Sequence, residues 1–92
     1  MPPQEQRTVK FIGNVQGVGF RFTTCRVAGA FDVTGSVRNC VDGSVECIIE
    51  GDRDEIAEFL QAIQDRMGHF IRELTEYSAP YTGRFSDFSV TY

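Results

Sequence analysis

The stretch "VTGSVRNCVDGSVECIIEGDRDEIAEFLQAIQDRM", Val33–Met67, changes period halfway along. "VTGSVRN" reads as a strand, and "VDGS" supplies a hairpin turn through Asp42-Gly43. "SVECIIE" returns with Val45, Cys47 and Ile49 on one face, the alternation of a half-buried strand. Asp52 and Glu55 then have the spacing of a capping box, with Asp in place of the usual Ser or Thr. Behind them Ile56, Phe59, Leu60, Ile63 and Met67 make one apolar stripe of an amphipathic helix.

The same alternation of periods continues on both sides. Upstream, "TVKFIGNV" puts Val9 and Phe11 on one strand face and Thr8 and Lys10 on the other. From Phe20 to Phe31 the pattern is helical, with Phe20, Thr24, Val27, Ala28 and Phe31 close to one stripe. Downstream, "IRELTEY" reads as a short strand or edge and "APYTGR" as a turn. "FSDFSVTY" closes the chain as a strand with Phe88, Val90 and Tyr92 facing one way. The order is β-α-β-β-α-β with an extra strand before the last. It predicts an α+β, ferredoxin-like two-layer sandwich, an antiparallel sheet covered on one face by two helices. Residues 1–92 read as a single domain, with residues 1–7 as a loose N-terminal tail. This fold hosts enzymes, metal carriers and regulatory modules alike, so function must come from a site.

Composition narrows the classes. A chain of 92 residues with 41% hydrophobic residues and eight Phe has one core and no spare lobe. Nine basic residues against thirteen acidic ones give a net charge of −4, with no basic run, which argues against a nucleic-acid partner. No apolar stretch approaches membrane-spanning length, and the N-terminus "MPPQEQR" is polar, unlike a signal peptide. A cytoplasmic location, no membrane partner and a monomer are the expectations. Cys25, Cys40 and Cys47 are odd in number, lack a C-x-x-C pair and have one distant histidine, His69. They make a poor zinc set and read as small apolar fillers, so neither metal nor cofactor is expected. His69, in "MGHF", reads as a solvated residue of a helix-to-strand turn.

Between the first strand and the first helix lies "GNVQGVGFR", Gly13–Arg21. Gly17 and Gly19 allow positive φ and close approach of backbone to a ligand, so successive amides can turn inward. The helix beginning near Phe20 presents unpaired N–H groups with partial positive charge, an anion site on physical grounds. Arg21 adds a planar fork suited to two phosphate oxygens. The glycine pattern alone fits a tight strand-to-helix turn, with Arg21 pointing into water, equally well. It is neither G-x-G-x-x-G nor a Walker loop.

The whole string carries more. "GNVQGVGFR" resembles the G-x-V-Q-G-V-x-F-R motif of the acylphosphatases, and "GSVRNCVDGSVECIIEG" resembles their second block, G-W-V-x-N followed by a D-G-x-V hairpin and a Gly. The resemblance runs from about Val9 to Gly51 and resumes at "FSVTY". It implies metal-free hydrolysis of the carboxyl-phosphate bond of acyl phosphates. By resemblance Arg21 binds the phosphate, Asn39 positions the attacking water, and the amides of Gln16, Gly17, Val18, Gly19, Phe20 and Arg21 form the cradle. Inorganic phosphate is then expected as a competitive inhibitor.

The implied chemistry matches the sparse equipment. An acyl phosphate is a mixed anhydride whose carboxylate departs without a strong general acid. Electrostatic stabilisation and positioning do most of the catalysis, so no His or Cys nucleophile is needed. Outside the motif, an Asn beside a β-turn is ordinarily there for turn chemistry. Arg38 and Cys40 alternate away from Asn39 and receive no role.

Three positions depart from the family pattern. Asn14 replaces a common Arg, Ser36 a usual Trp, and Asp32 stands where the first helix commonly ends in a left-handed Gly. Two other readings remain: a non-catalytic ferredoxin-like anion-binding or interaction module, and a carbamoyl-phosphate-hydrolysing fragment of a hydrogenase-maturation carbamoyltransferase. Nothing in the sequence specifies a pocket for the acyl group.

Overall fold

The computed structural model describes residues 3–92. The elements follow the expected order: β1 (Gln4–Gly13), α1 (Phe20–Ala28), β2 (Val33–Asn39), β3 (Val45–Asp52), α2 (Arg53–Met67), a 3-10 turn (Gly68–Phe70), β4 (Ile71–Pro80) and β5 (Phe88–Val90). The strands form one sheet in the order β4-β1-β3-β2-β5. Val9 and Phe11 of β1, Val37 of β2 and Val45, Cys47 and Ile49 of β3 all point into the core. The predicted stripe of α2 packs against them, since Ile56, Phe59, Leu60, Ile63 and Met67 are all buried. The aromatic rings tie the layers together: Phe11 meets Phe20 at 5.1 Å and Phe59 meets Phe88 at 5.4 Å between ring centroids. No helix among the described residues is long and apolar enough to cross a membrane.

Four local expectations are corrected. The sheet is mixed, because β2 and β5 run parallel, Val37 opposite Val90. The chain leaves β4 at one edge and must cross to the other edge before β5, which reverses the sense of pairing expected for a meander. Second, Gln4–Arg7 are no loose tail: they pair with both β3 and β4 from Glu5 onward, and Gln4 pairs with Asp52. Only Met1 and Pro2 of the expected tail lie outside the described residues.

The other two corrections concern helix ends. Asp52 does precede α2 with an extended backbone, but it makes no side-chain cap, and Glu55 turns away to accept from the Asp32 amide at 2.8 Å. The capping box is therefore absent. Helix α1 ends at Ala28, three residues before Phe31, and no non-glycine residue among those described has positive φ. Asp32 thus has no left-handed strain. Phe31 still packs on the core, 6.1 Å from Phe59, from the turn beyond the helix.

The cysteines are free, with Cys47 in the core and Cys25 and Cys40 half-buried. Burial pushes the Cys47 thiol well above its ordinary value and raises that of Cys25. His69 is exposed in the 3-10 turn, its ring against Phe70.

Candidate active site

The loop after β1 turns on two glycines. Gly17 and Gly19 have φ of 80° and 75°, a region that side-chain-bearing residues resist, and the space a Cβ would take is open at both. Gly19 is also the N-cap of α1, with no side-chain cap. The first backbone bond of the helix is donated by Thr23 to the Gly19 carbonyl at 2.9 Å. Among the described residues no group accepts from the amides of Gln16 to Phe22. A run of unspent N–H groups at a helix N-terminus is what an anion needs.

A cleft of about 170 Å³ opens over these amides. Its walls are Val15, Gly17 and Gly19 of the loop, Phe20, Arg21 and Phe22 of α1, Asn39 at the end of β2, Val90 of β5 and Tyr92 just beyond it.

Arg21 is half-buried and has no acidic partner among the described residues. Its guanidinium lies over the Tyr92 ring, 5.1 Å from the centroid. An aromatic ring under a guanidinium restrains it without accepting a conventional hydrogen bond, so its N–H donors are available to an anion. Asn39 is half-buried, and its side-chain amide has no partner among the described residues, so both donor and acceptor are available to a water.

Asn39 is placed by the hairpin that follows it. Gly43 donates to the Cys40 carbonyl at 3.1 Å, and Cys40 to the Ser44 carbonyl at 2.8 Å. The Asp42 carboxylate accepts from the Ser44 amide at 2.9 Å and from its hydroxyl at 2.5 Å, and pairs with Lys10 at 3.1 Å. The Ser44 hydroxyl and amide and then Lys10 lower the Asp42 carboxyl to about 2, so the turn keeps its charge well into acid.

Gln16 joins the two halves. Its amide nitrogen donates to the Cys40 carbonyl at 2.8 Å and to the Ser44 carbonyl at 2.9 Å, bracing the glycine loop against the hairpin.

The six-residue cradle expected from the sequence is therefore brought together in part. Gly17, Gly19, Phe20 and Arg21 line the cleft with Asn39, whereas Gln16 and Val18 do not. Arg38 points away and pairs with Glu46 at 2.9 Å, as the alternation predicts. Asn14 is exposed, outside the cleft, and donates its amide to the Phe70 carbonyl. Ser36 is half-buried within β2, opposite Ile48 and Ser89. Sequence reasoning gave Phe22 and Tyr92 no part in the site. Phe22 was readable as an aromatic lying off the apolar stripe of α1. Tyr92 lies two residues beyond the end of β5, and its approach to Arg21 is long-range and has no local signal.

Comparison with known proteins places the chain in a family. The sequence model of the acylphosphatase family matches residues 7–90. An acylphosphatase of Polaromonas naphthalenivorans is 49% identical over a stretch covering 62% of this chain, and that stretch spans 56% of the relative's length. An acylphosphatase of Lactobacillus johnsonii is 36% identical over 92% of this chain and 96% of its own. The crystal structure of acylphosphatase from Bacillus subtilis superposes with a TM-score of 0.86 at 26% identity, covering 96% of this chain and 99% of that one.

Proposed function

The chain belongs to the acylphosphatase family, hydrolases of acid anhydrides, and from that premise we propose that this cleft hydrolyses the carboxyl-phosphate bond of acyl phosphates without a metal ion. One observation carries the reading. An arginine without an acidic partner, a run of unspent amides and a free asparagine amide meet in one cleft.

In this reading the phosphoryl group sits on the amides of Gly17 and Gly19 and the first turn of α1, with two oxygens on the Arg21 fork. The Asn39 side-chain oxygen accepts a hydrogen bond from the water and aims a lone pair at phosphorus. A bond forms from the water oxygen to phosphorus as the bond from phosphorus to the acyl oxygen breaks, and its electron pair leaves on the carboxylate. Both water protons end on the phosphate product. Carboxylic acids have pKa values near 4, so the leaving group departs unprotonated at neutral pH. Charge building on the phosphoryl oxygens meets donors already in place, which supports a route needing no metal. The phosphate product fits the same cradle, hence inhibition competitive with substrate.

The test is hydrolysis of benzoyl phosphate with EDTA present, by the wild-type chain and by Asn39→Ala. The wild type should turn over at full rate with EDTA. Asn39→Ala should hold inorganic phosphate within a few-fold of wild type while kcat falls by about 10²-fold or more, the mark of an interaction made on the way to the transition state. Activity that vanishes with EDTA and returns with magnesium defeats the metal-free route. Near-normal turnover in Asn39→Ala removes Asn39 from the mechanism.

A further inference from the structure

Phe22 is an aromatic side chain that the fold does not use. It sits on the first turn of α1, off the face that buries Phe20, Thr24, Val27 and Ala28, and is 69% exposed. It nevertheless lines the cleft next to Arg21. A lone exposed apolar residue means little. One on the rim of an anion cradle has a use if the anion carries an apolar group.

The direction of the reaction says which rim the acyl group meets. In an in-line displacement the attacking water and the leaving oxygen lie at opposite ends of the phosphoryl group. The water belongs to Asn39, on the sheet side of the cleft. Tyr92 stands on that same side, because it follows Val90, which pairs with Val37 two residues before Asn39. Tyr92 is itself fully exposed, but its ring is already engaged by Arg21. The leaving group therefore faces the helix side, where Phe22 is the exposed aromatic.

Building on the hydrolytic reading above, we propose that Phe22 forms the acyl subsite and selects aryl acyl phosphates over short aliphatic ones. A benzoyl ring conjugated with its carbonyl is flat and can stack on, or set its edge against, the Phe22 ring. An acetyl group offers too little surface to do so. Phe22 is 69% exposed and offers one open ring, so the selection is one ring deep.

The readout is the ratio of kcat/KM for benzoyl phosphate to that for acetyl phosphate. Phe22→Ala should lower this ratio about tenfold, the range open to apolar discrimination. Phe22→Tyr, which keeps the ring, should restore most of it. A ratio that stays put in Phe22→Ala, or a Tyr variant no better than Ala, overturns the subsite. Calorimetric titration with benzoylphosphonate and acetylphosphonate, which lack the scissile oxygen, separates the subsite from the chemistry. If the wild type hydrolyses neither anhydride, yet binds benzoylphosphonate more tightly by a margin that Phe22→Ala erases, hydrolysis falls and the subsite stands. If there is no such margin in the wild type, the subsite falls whatever the turnover.

Discussion

Two irregular stretches of this chain are each fastened by one side chain, and they differ in what they leave unpaired. The glycine loop, Gly13–Gly19, is braced by Gln16, whose neutral amide gives two hydrogen bonds to the β2–β3 hairpin. The crossover from β4 to β5, residues 81–87, is held by Glu50, which is only 1% exposed. The Glu50 carboxylate accepts from the Thr82 hydroxyl at 2.7 Å, the Thr82 amide at 3.0 Å, the Gly83 amide at 2.9 Å and Gln6 at 2.9 Å. Around Glu50 the polar groups of the crossover find partners. In the glycine loop the amides from Gln16 to Gly19 have no acceptor among the described residues. Unpaired N–H groups at a helix N-terminus suit an anion, so the cleft over the loop is where a ligand is expected, and the crossover is scaffold.

Arg21 gives the sharpest way to break this contrast. Because it has no acidic partner among the described residues, removing it should cost the fold little and the chemistry much. Arg21→Ala should lower kcat/KM by about 10³-fold, roughly 4 kcal/mol of transition-state stabilisation, and abolish phosphate binding measured by calorimetry. Arg21→Lys should recover little, since a point charge cannot reproduce the fork. A Lys variant within a few-fold of wild type would mean that charge alone suffices and the planar geometry is idle.

Glu50 is the opposite case, with a large effect on the fold. Glu50→Ala strands the Thr82 and Gly83 amides and the Gln6 amide without their acceptor, and should cost about 3 kcal/mol in denaturant unfolding. Burial alone would raise the Glu50 carboxyl, but the Thr82 hydroxyl and amide, Gln6 and the Gly83 amide outweigh it and hold it below the ordinary 4.5. A carboxyl with a depressed folded-state value stabilises above its unfolded value, and that stability is lost as pH falls through the folded one. Wild-type stability should therefore drop from about pH 4.5 downward, and the drop should be shallower in Glu50→Gln. Equal acid slopes in the two proteins would remove Glu50 from the account. Part of the slope will persist, because Glu5 is held low as well: its own burial opposes, and Arg7, Arg53 and Ser78 prevail.

Gln16 should show an intermediate effect that falls on alignment. Gln16→Ala takes one of two donors from each of the Cys40 and Ser44 carbonyls, costing about 1 kcal/mol of stability. It also lets the hairpin that carries Asn39 shift against the glycine loop. Turnover should fall about tenfold, with phosphate affinity changed only a few-fold, since misplacement taxes the reaction more than binding. Gln16→Glu should be worse, because it aims a carboxylate at two carbonyl oxygens. If Gln16→Glu matches wild type within twofold, the brace has no bearing on catalysis.

The contrast also explains which parts could be read in advance. The hairpin, α2 and the core faces of β1 and β3 were legible because period-two and period-3.6 patterns report burial directly. The cleft was legible through Gly17, Gly19, Arg21 and Asn39, all within a motif. What sequence missed depends on single long-range partners. Nothing near Glu50 announces that residues 82 and 83 will cross it, so neither the crossover nor the parallel pairing of β5 was foreseen. "QEQR" looked like a tail because Gln6 and its neighbours are polar, yet Gln6 is polar in order to reach Glu50. The capping-box spacing at Asp52 and Glu55 was present, and a distant amide took the Glu55 carboxylate instead.

That amide belongs to Asp32, which gives the smallest expected effect. A left-handed Asp32 would gain from replacement by glycine, but its backbone has no positive φ and so no strain to relieve. The hydrogen bond it makes is a backbone one, from its N–H to Glu55, and glycine keeps that donor. What remains is the greater unfolded-state freedom of glycine, so Asp32→Gly should destabilise by about 0.5 kcal/mol. Glu55→Ala removes the acceptor, and because the contact is at the surface, where water can replace it, the loss should stay within about 1 kcal/mol. Denaturant midpoints measured at constant m-value resolve changes of this size, and kcat/KM should be indifferent to both, since neither residue lines the cleft. A gain in stability from Asp32→Gly would contradict a negative φ at Asp32 and return this residue to the left-handed helix end that the sequence suggested.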